Sequence, residues 1–140
     1  MAKKTWGTNP NSGGIPIPPI VQQDVRARIE AYAHQHYSGK FTRLEIYFKK
    51  QFCYIDAYKK VSVNEIHLYG DLSESREEKL DRLRNTPTHL CRLRYHGRSG
   101  WSFGFYTYSH ERYELCVFSD GQFFGTPEDA FECSASVYIN

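Results

Sequence analysis

The sequence predicts an α+β fold: a single antiparallel β-sheet of five to six strands, run as a meander, with an N-terminal amphipathic helix packed on one face and a short C-terminal helix. Three observations carry this reading. Between Trp101 and Phe124 nine of twenty-four residues are aromatic, and turn residues cut the stretch at regular intervals, a pattern of short strands joined by tight turns. Earlier, Val21, Val25, Ile29, Tyr32, Ala33 and His36 recur at spacings of three and four, which puts them on one stripe of a helix. Near the end, Thr126-Pro127-Glu128-Asp129 combines an N-cap, a proline suited to the first helical position and acids that favour the positive end of the helix dipole.

Taken in order, residues 1–19 are rich in Gly, Pro, Asn and Ser and read as a flexible tail, leaving 20–140 as one α+β domain. The first helix follows Pro18 and Pro19, runs four to five turns, and closes at Ser38 and Gly39. The next two runs, FTRLEIYFK and FCYIDAY, alternate as strands do. A turn at Lys50-Gln51, which lacks the usual glycine and so leaves a longer loop open, sets Leu44 opposite Ala57, Ile46 opposite Ile55 and Phe48 opposite Cys53 on the apolar face. The same register places Arg43 opposite Tyr58, Glu45 opposite Asp56 and Tyr47 opposite Tyr54 on the other face.

Residues 61–74 give no clear pattern and read as a further strand or a lid-like loop. SESREEKLDRLRN is a second helix, capped by Ser73 or Ser75, with Leu80 and Leu83 inward. In the strand HLCRLRYH, Cys91, Leu93 and Tyr95 are expected inside and Arg92, Arg94 and His96 outside. Gly100 in the left-handed conformation would then join Trp101, Phe103 and Phe105 to the core and leave Tyr106 and Tyr108 beside the arginines. YELCVFS follows, and Asp120-Gly121 is expected to make a type I′ turn into a last short strand, QFF. The C-terminal helix should carry Ala130, Phe131 and Ala135 inward.

Charge is more telling in its distribution than in its sum. The 140-residue chain has a formal charge of +2, yet Arg82 to Arg98 holds five arginines and no acid, and Glu111 to Glu132 holds six acids against Arg112 alone. Such a split bears on partners rather than on fold. With a mean hydropathy of -0.63 and no apolar run of about 18 residues, no membrane partner is expected, and a cytoplasmic location is the expectation. Cys53, Cys91, Cys116 and Cys133 never reach a C-x-x-C spacing and read as small buried hydrophobes.

The segments PIPPIVQ, FCYIDAY, RLRNTPTHLCRLRY and especially SDGQFFGTPEDAF resemble those of a family of small bacterial proteins, mainly cyanobacterial, with an FFGTPEDAF-like C-terminal segment. The similarity runs from about Pro16 onward, with residues 60–74 as its variable part. It implies a stand-alone protein and carries over no catalytic or binding residue.

No cofactor or metal motif is present, and the expected function is binding. The favoured site is the outer face of the meander, with Arg92, Arg94 and Arg98 as cations and Tyr106 and Tyr108 as aromatic contacts. Its expected partner is a protein, either a second copy or a heterologous one. Single-stranded nucleic acid is the alternative, since arginine meets phosphate and tyrosine stacks on bases. A plainer possibility is that the arginines lie over the tyrosines within the molecule.

An enzymatic reading places Glu45, Asp56, Tyr54 and His67 in a cleft beside the 61–74 segment, because two opposed carboxylates split their pKa values. A Cys/His metal site at His89 and Cys91 is a further geometric option, since the two residues alternate on one strand face.

Overall fold

A computed structural model describes residues 8–61 and 75–140. Its order is α1 (Pro19–His36), β1 (Phe41–Lys49), β2 (Phe52–Lys59), α2 (Arg76–Asn85), β3 (Thr88–Tyr95), β4 (Trp101–Thr107), β5 (Arg112–Cys116) and α3 (Pro127–Tyr138). The strands form one antiparallel sheet in sequence order. This is the α+β meander that the sequence predicts, with five strands.

One face of the sheet is the core. Ile46, Cys53, Ile55, Ala57, Cys91, Leu93 and Phe103 point into it and are buried. α1 covers the β1 side with Val25, Ile29 and Ala33, and α3 covers β3 and β4 with Ala130, Phe131 and Ala135. The two helices are tied together at their polar edge. Arg28 donates to both oxygens of Glu128 at 2.7 and 2.8 Å, and the hydroxyls of Tyr32 and Tyr37 both donate to Glu132. Burial and the Glu132 bond together push the Tyr32 phenol up to about 12, so both hydroxyls stay protonated donors.

The β1–β2 register is the expected one at every pair from Arg43–Tyr58 to Phe48–Cys53, with Lys50 in the left-handed conformation at the turn (φ 55°). Ser75, not Ser73, caps α2, and its hydroxyl and the Glu78 carboxylate form a reciprocal capping box. Thr126 caps α3 by accepting from the Asp129 amide.

Four expectations need correction. The segment 1–19 does not read as loose where it is described: the Ile15 amide donates to Tyr95 O, the Ile17 amide to Lys50 O, and Ile17 is buried. Composition hid this because one isoleucine among glycines and prolines shows no periodicity. Asp120-Gly121 does not make a type I′ turn, since Gly121 has positive φ and Asp120 does not. The turn closes earlier instead, with the Gly121 amide donating to Phe118 O.

QFF is likewise not a strand. Phe118 is drawn into the core against Phe103 (ring centroids 4.6 Å apart), so the chain loops around it and rejoins the sheet where Gly125 bridges Trp101. A Cβ at Gly125 would lie 2.6 Å from the Phe118 ring, which makes glycine necessary at this close approach.

The fourth correction concerns β3. Ile55 pairs with Cys91 but Asp56 pairs with His89, so Leu90 is inserted as a bulge. Leu90 and Cys91 are both buried, and His89 is moved to the face opposite Cys91. The Cys/His metal option is thereby removed, because its two ligands lie on different sides of the sheet.

Candidate functional site: the outer face of the sheet

Neither α1 nor α3 lies on the opposite face of the sheet. Across it run Glu45 and Tyr47 from β1, then Phe52, Tyr54, Asp56 and Tyr58 from β2. His89, Arg92 and Arg94 follow from β3, Ser102, Gly104 and Tyr106 from β4, and Tyr113 and Leu115 from β5. Alternation along each strand dictates this set, His89 excepted, which the Leu90 bulge turns to this face.

The rings interlock. Tyr47 and Tyr54 are stacked with centroids 4.9 Å apart and planes 8° from parallel, and Tyr113 meets Tyr54 edge-on at 5.7 Å. Tyr106 meets Tyr113 at 4.9 Å and Tyr108 at 4.7 Å, and His89 lies against Tyr106 at 4.8 Å. Arg92 sits over Phe52 at 4.2 Å and over Tyr113 at 5.3 Å, and Arg94 over Phe52 at 4.7 Å. Gly104, paired with Arg92, is already 3.1 Å from the Tyr113 Cβ at the point where its own Cβ would stand. A side chain there would part Arg92 from Tyr113.

Of the residues expected to form the site, the structure brings Arg92 to Arg94 and Tyr106 to Tyr108. The two pairs are linked only through Tyr113, and the arginines stack on Phe52 and Tyr113 rather than on Tyr106 and Tyr108. Arg98 joins neither pair, for it lies in the turn Gly97–Ser99 between β3 and β4, while Tyr108 lies beyond the other end of β4. Arg94 also donates to Gly13 O at 2.8 Å, and Ser102 to Pro10 O at 2.7 Å, so residues 10–14 cross the β3–β4 end of this face. Burial there, with Arg92 alongside, lowers the Arg94 pKa.

The other expected group divides differently. Glu45 does stand opposite Asp56, but Arg43 does not bridge them. Its guanidinium lies 3.8 Å from the Tyr58 ring centre. Asp56, only 3% exposed, turns instead to His89, whose Nδ1 is 2.9 Å from Asp56 Oδ1. His67 lies outside the described residues. Among the described residues no group of three or more His, Cys, Asp or Glu side chains is placed to hold a metal.

Sequence reasoning singled out neither Phe52, Tyr113 nor His89 as part of this face. The first two were accessible: Phe52 alternates with Cys53, and a turn at Ser109–Glu111 pairs Tyr113 with Tyr106. His89 was not, because nothing in HLCRLRY marks the bulge.

Burial pushes the Asp56 carboxyl above the ordinary carboxylate value of 3.8, Glu45 adds to this, and the His89 bond opposes it. A carboxyl whose folded-state pKa is raised stabilises the fold most when protonated, and that contribution is lost as pH rises through the folded value. At neutral pH, therefore, Asp56→Asn, whose amide oxygen can still accept from His89, is expected to be at least as stable as the wild type. Asp56→Ala should lose about 2 kcal/mol with the hydrogen bond. The wild type should gain on Asp56→Asn as the pH falls toward 3.8. Urea melts at several pH values check the order, and a wild type clearly more stable than Asp56→Asn at neutral pH would contradict it.

The molecule is thus an α+β protein with one helix-covered face and one face of interlocked tyrosines, arginines and a carboxylate–histidine pair. No protein-family model, curated protein or solved structure matches the chain.

Proposed function

We propose that the chain is a non-enzymatic binding module whose outer sheet face docks a protein partner, a second copy or a heterologous one. The observation that carries this is the attitude of the rings. Neighbouring strands lie about 4.8 Å apart, so two directly opposed tyrosines stacked at 4.9 Å with parallel planes stand upright on the sheet. Their edges and hydroxyls face outward, and their π-faces are turned to one another. Arg92 and Arg94 occupy Phe52 in the same way. Upright tyrosines give a rigid, amphipathic contact surface at low entropic cost, which suits a protein interface.

Stacking on nucleic-acid bases needs ring faces that are free, and here Tyr54, Tyr106 and Tyr113 each meet other rings within the molecule. The nucleic-acid alternative therefore has Arg92, Arg94 and Arg98 on its side but not the tyrosines. Labelled single-stranded RNA and DNA are expected to show no salt-sensitive binding, and a steep loss of affinity with salt would reinstate that reading. The enzymatic reading has the Asp56–His89 pair in its favour. However, the grooves of about 410 and 400 Å³ beside the end of β2 are lined by neither Asp56 nor Glu45.

The docking face is tested by placing a photo-crosslinking amino acid at Tyr47, which is 40% exposed, or at Glu30 on the exposed side of α1, in the full chain in cells. Adducts are expected from position 47 and not from position 30. Their mass, with light scattering of the purified protein, separates a second copy from a different partner. Equal yields at the two positions would end the proposal.

A further inference from the structure

A second feature lies away from the centre of the outer face, where β2 ends. Lys59, Lys60 and Val61 form one side of a groove of about 410 Å³, with Leu83, Pro87, Tyr108 and Tyr138 as its apolar walls. Beyond Lys59, Lys60 and Tyr138 it continues into a hollow of about 400 Å³ against Lys40 and Ile139. The Lys60 amide donates to Lys40 O, which holds the start of β1 and the end of β2 side by side and keeps the three lysines on one rim.

In the groove of about 410 Å³ the charged side chains are of one sign. Lys40, Lys59 and Lys60 supply the cationic side chains of groove and hollow, neither lining includes an Asp or Glu side chain, and none of the three lysines forms an ion pair among the described residues. Several arginines of the molecule do have partners. Arg28 has Glu128 and Asp24, Arg112 has Glu114, and Arg43, Arg92 and Arg94 lie on aromatic rings. A concave site of this size, largely apolar with a few charges of one sign, is what a small ligand requires, and clustered cations over low-dielectric walls raise the local concentration of anions.

We infer that this groove binds a small amphipathic anion, an apolar or aromatic body carrying a carboxylate or phosphate head, with the body against Leu83, Pro87 and Tyr138 and the head on Lys59 and Lys60. The inference stands apart from the docking proposal, which concerns Tyr47, Tyr54 and Tyr113.

The test is an amide NMR titration of the full chain with sodium octanoate and with phenyl phosphate, using inorganic phosphate and octyl glucoside as head-only and body-only controls. Saturable shifts are expected for at least one of the two amphipathic anions, centred on Lys60, Leu83, Thr88 and Tyr108. Whichever of the two responds identifies the head group. The Lys59→Glu, Lys60→Glu double variant alters exposed side chains only and should weaken that binding about tenfold or more, with the remaining spectrum unchanged. The inference is overturned by no saturable shift with either anion, by shifts centred elsewhere, by equal response to inorganic phosphate or to octyl glucoside, or by undiminished binding in the double variant.

Discussion

Replacing Phe131 by alanine is expected to cost about 4 kcal/mol, the largest effect of any single side chain considered for this fold. Phe131 is fully buried on α3, and its ring meets Tyr32 at 6.1 Å and Tyr37 at 5.7 Å, both edge-on. It therefore joins α1 to α3 as well as filling the core. Truncation removes the transfer free energy of a phenyl group and leaves a cavity that α1 cannot close, because Arg28–Glu128 and the two tyrosine bonds to Glu132 hold the helices at their present separation.

A domain of this size has a net stability of about 5 to 15 kcal/mol, so the variant should fold only marginally and melt about 10 °C or more below the wild type. Phe131→Leu keeps most of the volume and should cost about 1.5 kcal/mol or less. Urea denaturation of the three proteins measures both numbers. A Phe131→Ala loss no greater than that of Phe131→Leu would mean that α1 and α3 do not share a core at this residue.

The parts of this structure that could be read from its sequence are those in which a period and a boundary agree. β1 and β2 alternate cleanly on both sides of a two-residue turn, and a one-residue slip would have sent Ile46 and Ile55 to solvent, which favours the register observed. Thr126-Pro127-Glu128-Asp129 marked α3 because each residue answers a different demand of a helix start. The outward placement of Arg92, Arg94 and Tyr106 followed from the requirement that Trp101, Phe103 and Phe105 be buried together.

What escaped sequence reading depends on tertiary packing. Leu90 is inserted because the core under α3 takes two consecutive residues of β3, and only the finished core shows that. Phe118 ends the strand pattern, since its ring is buried in the core and the chain turns back there at once, with the Phe118 amide donating to Gln122 O. Ile17 is held by the turn between β1 and β2, and Ile15 by the end of β3, which a window of neighbouring residues does not contain. Each of these misses moved a part of the candidate site: the bulge brought His89 to Asp56, and the segment that ends at Ile17 brought Gly13 to Arg94.

Tyr113→Ala is expected to have the second largest effect, about 3 kcal/mol, because that ring is the hub of the outer face. It touches Tyr54, Tyr106 and His89 and lies under Arg92, so its loss frees both the tyrosine stack and the arginine at once. Tyr47→Ala removes a ring whose one aromatic partner here is Tyr54 and which is 40% exposed, and should cost about 1 kcal/mol. Tyr113→Phe separates the ring from its hydroxyl. Burial and the neighbouring Asp56 push that phenol's pKa up, so it carries no charge near neutral pH, and the phenylalanine variant should stay within about 1 kcal/mol of the wild type.

The same comparison bears on docking, because a preorganised surface loses affinity when the groups that hold it upright are removed. With a photo-crosslinker at position 47, Tyr113→Phe should leave adduct formation unchanged. Tyr113→Ala should abolish it at a temperature where circular dichroism still reports the folded protein. Undiminished adducts in folded Tyr113→Ala would show that the partner does not depend on the interlocked rings, and the outer face would then be a structural network rather than the binding surface.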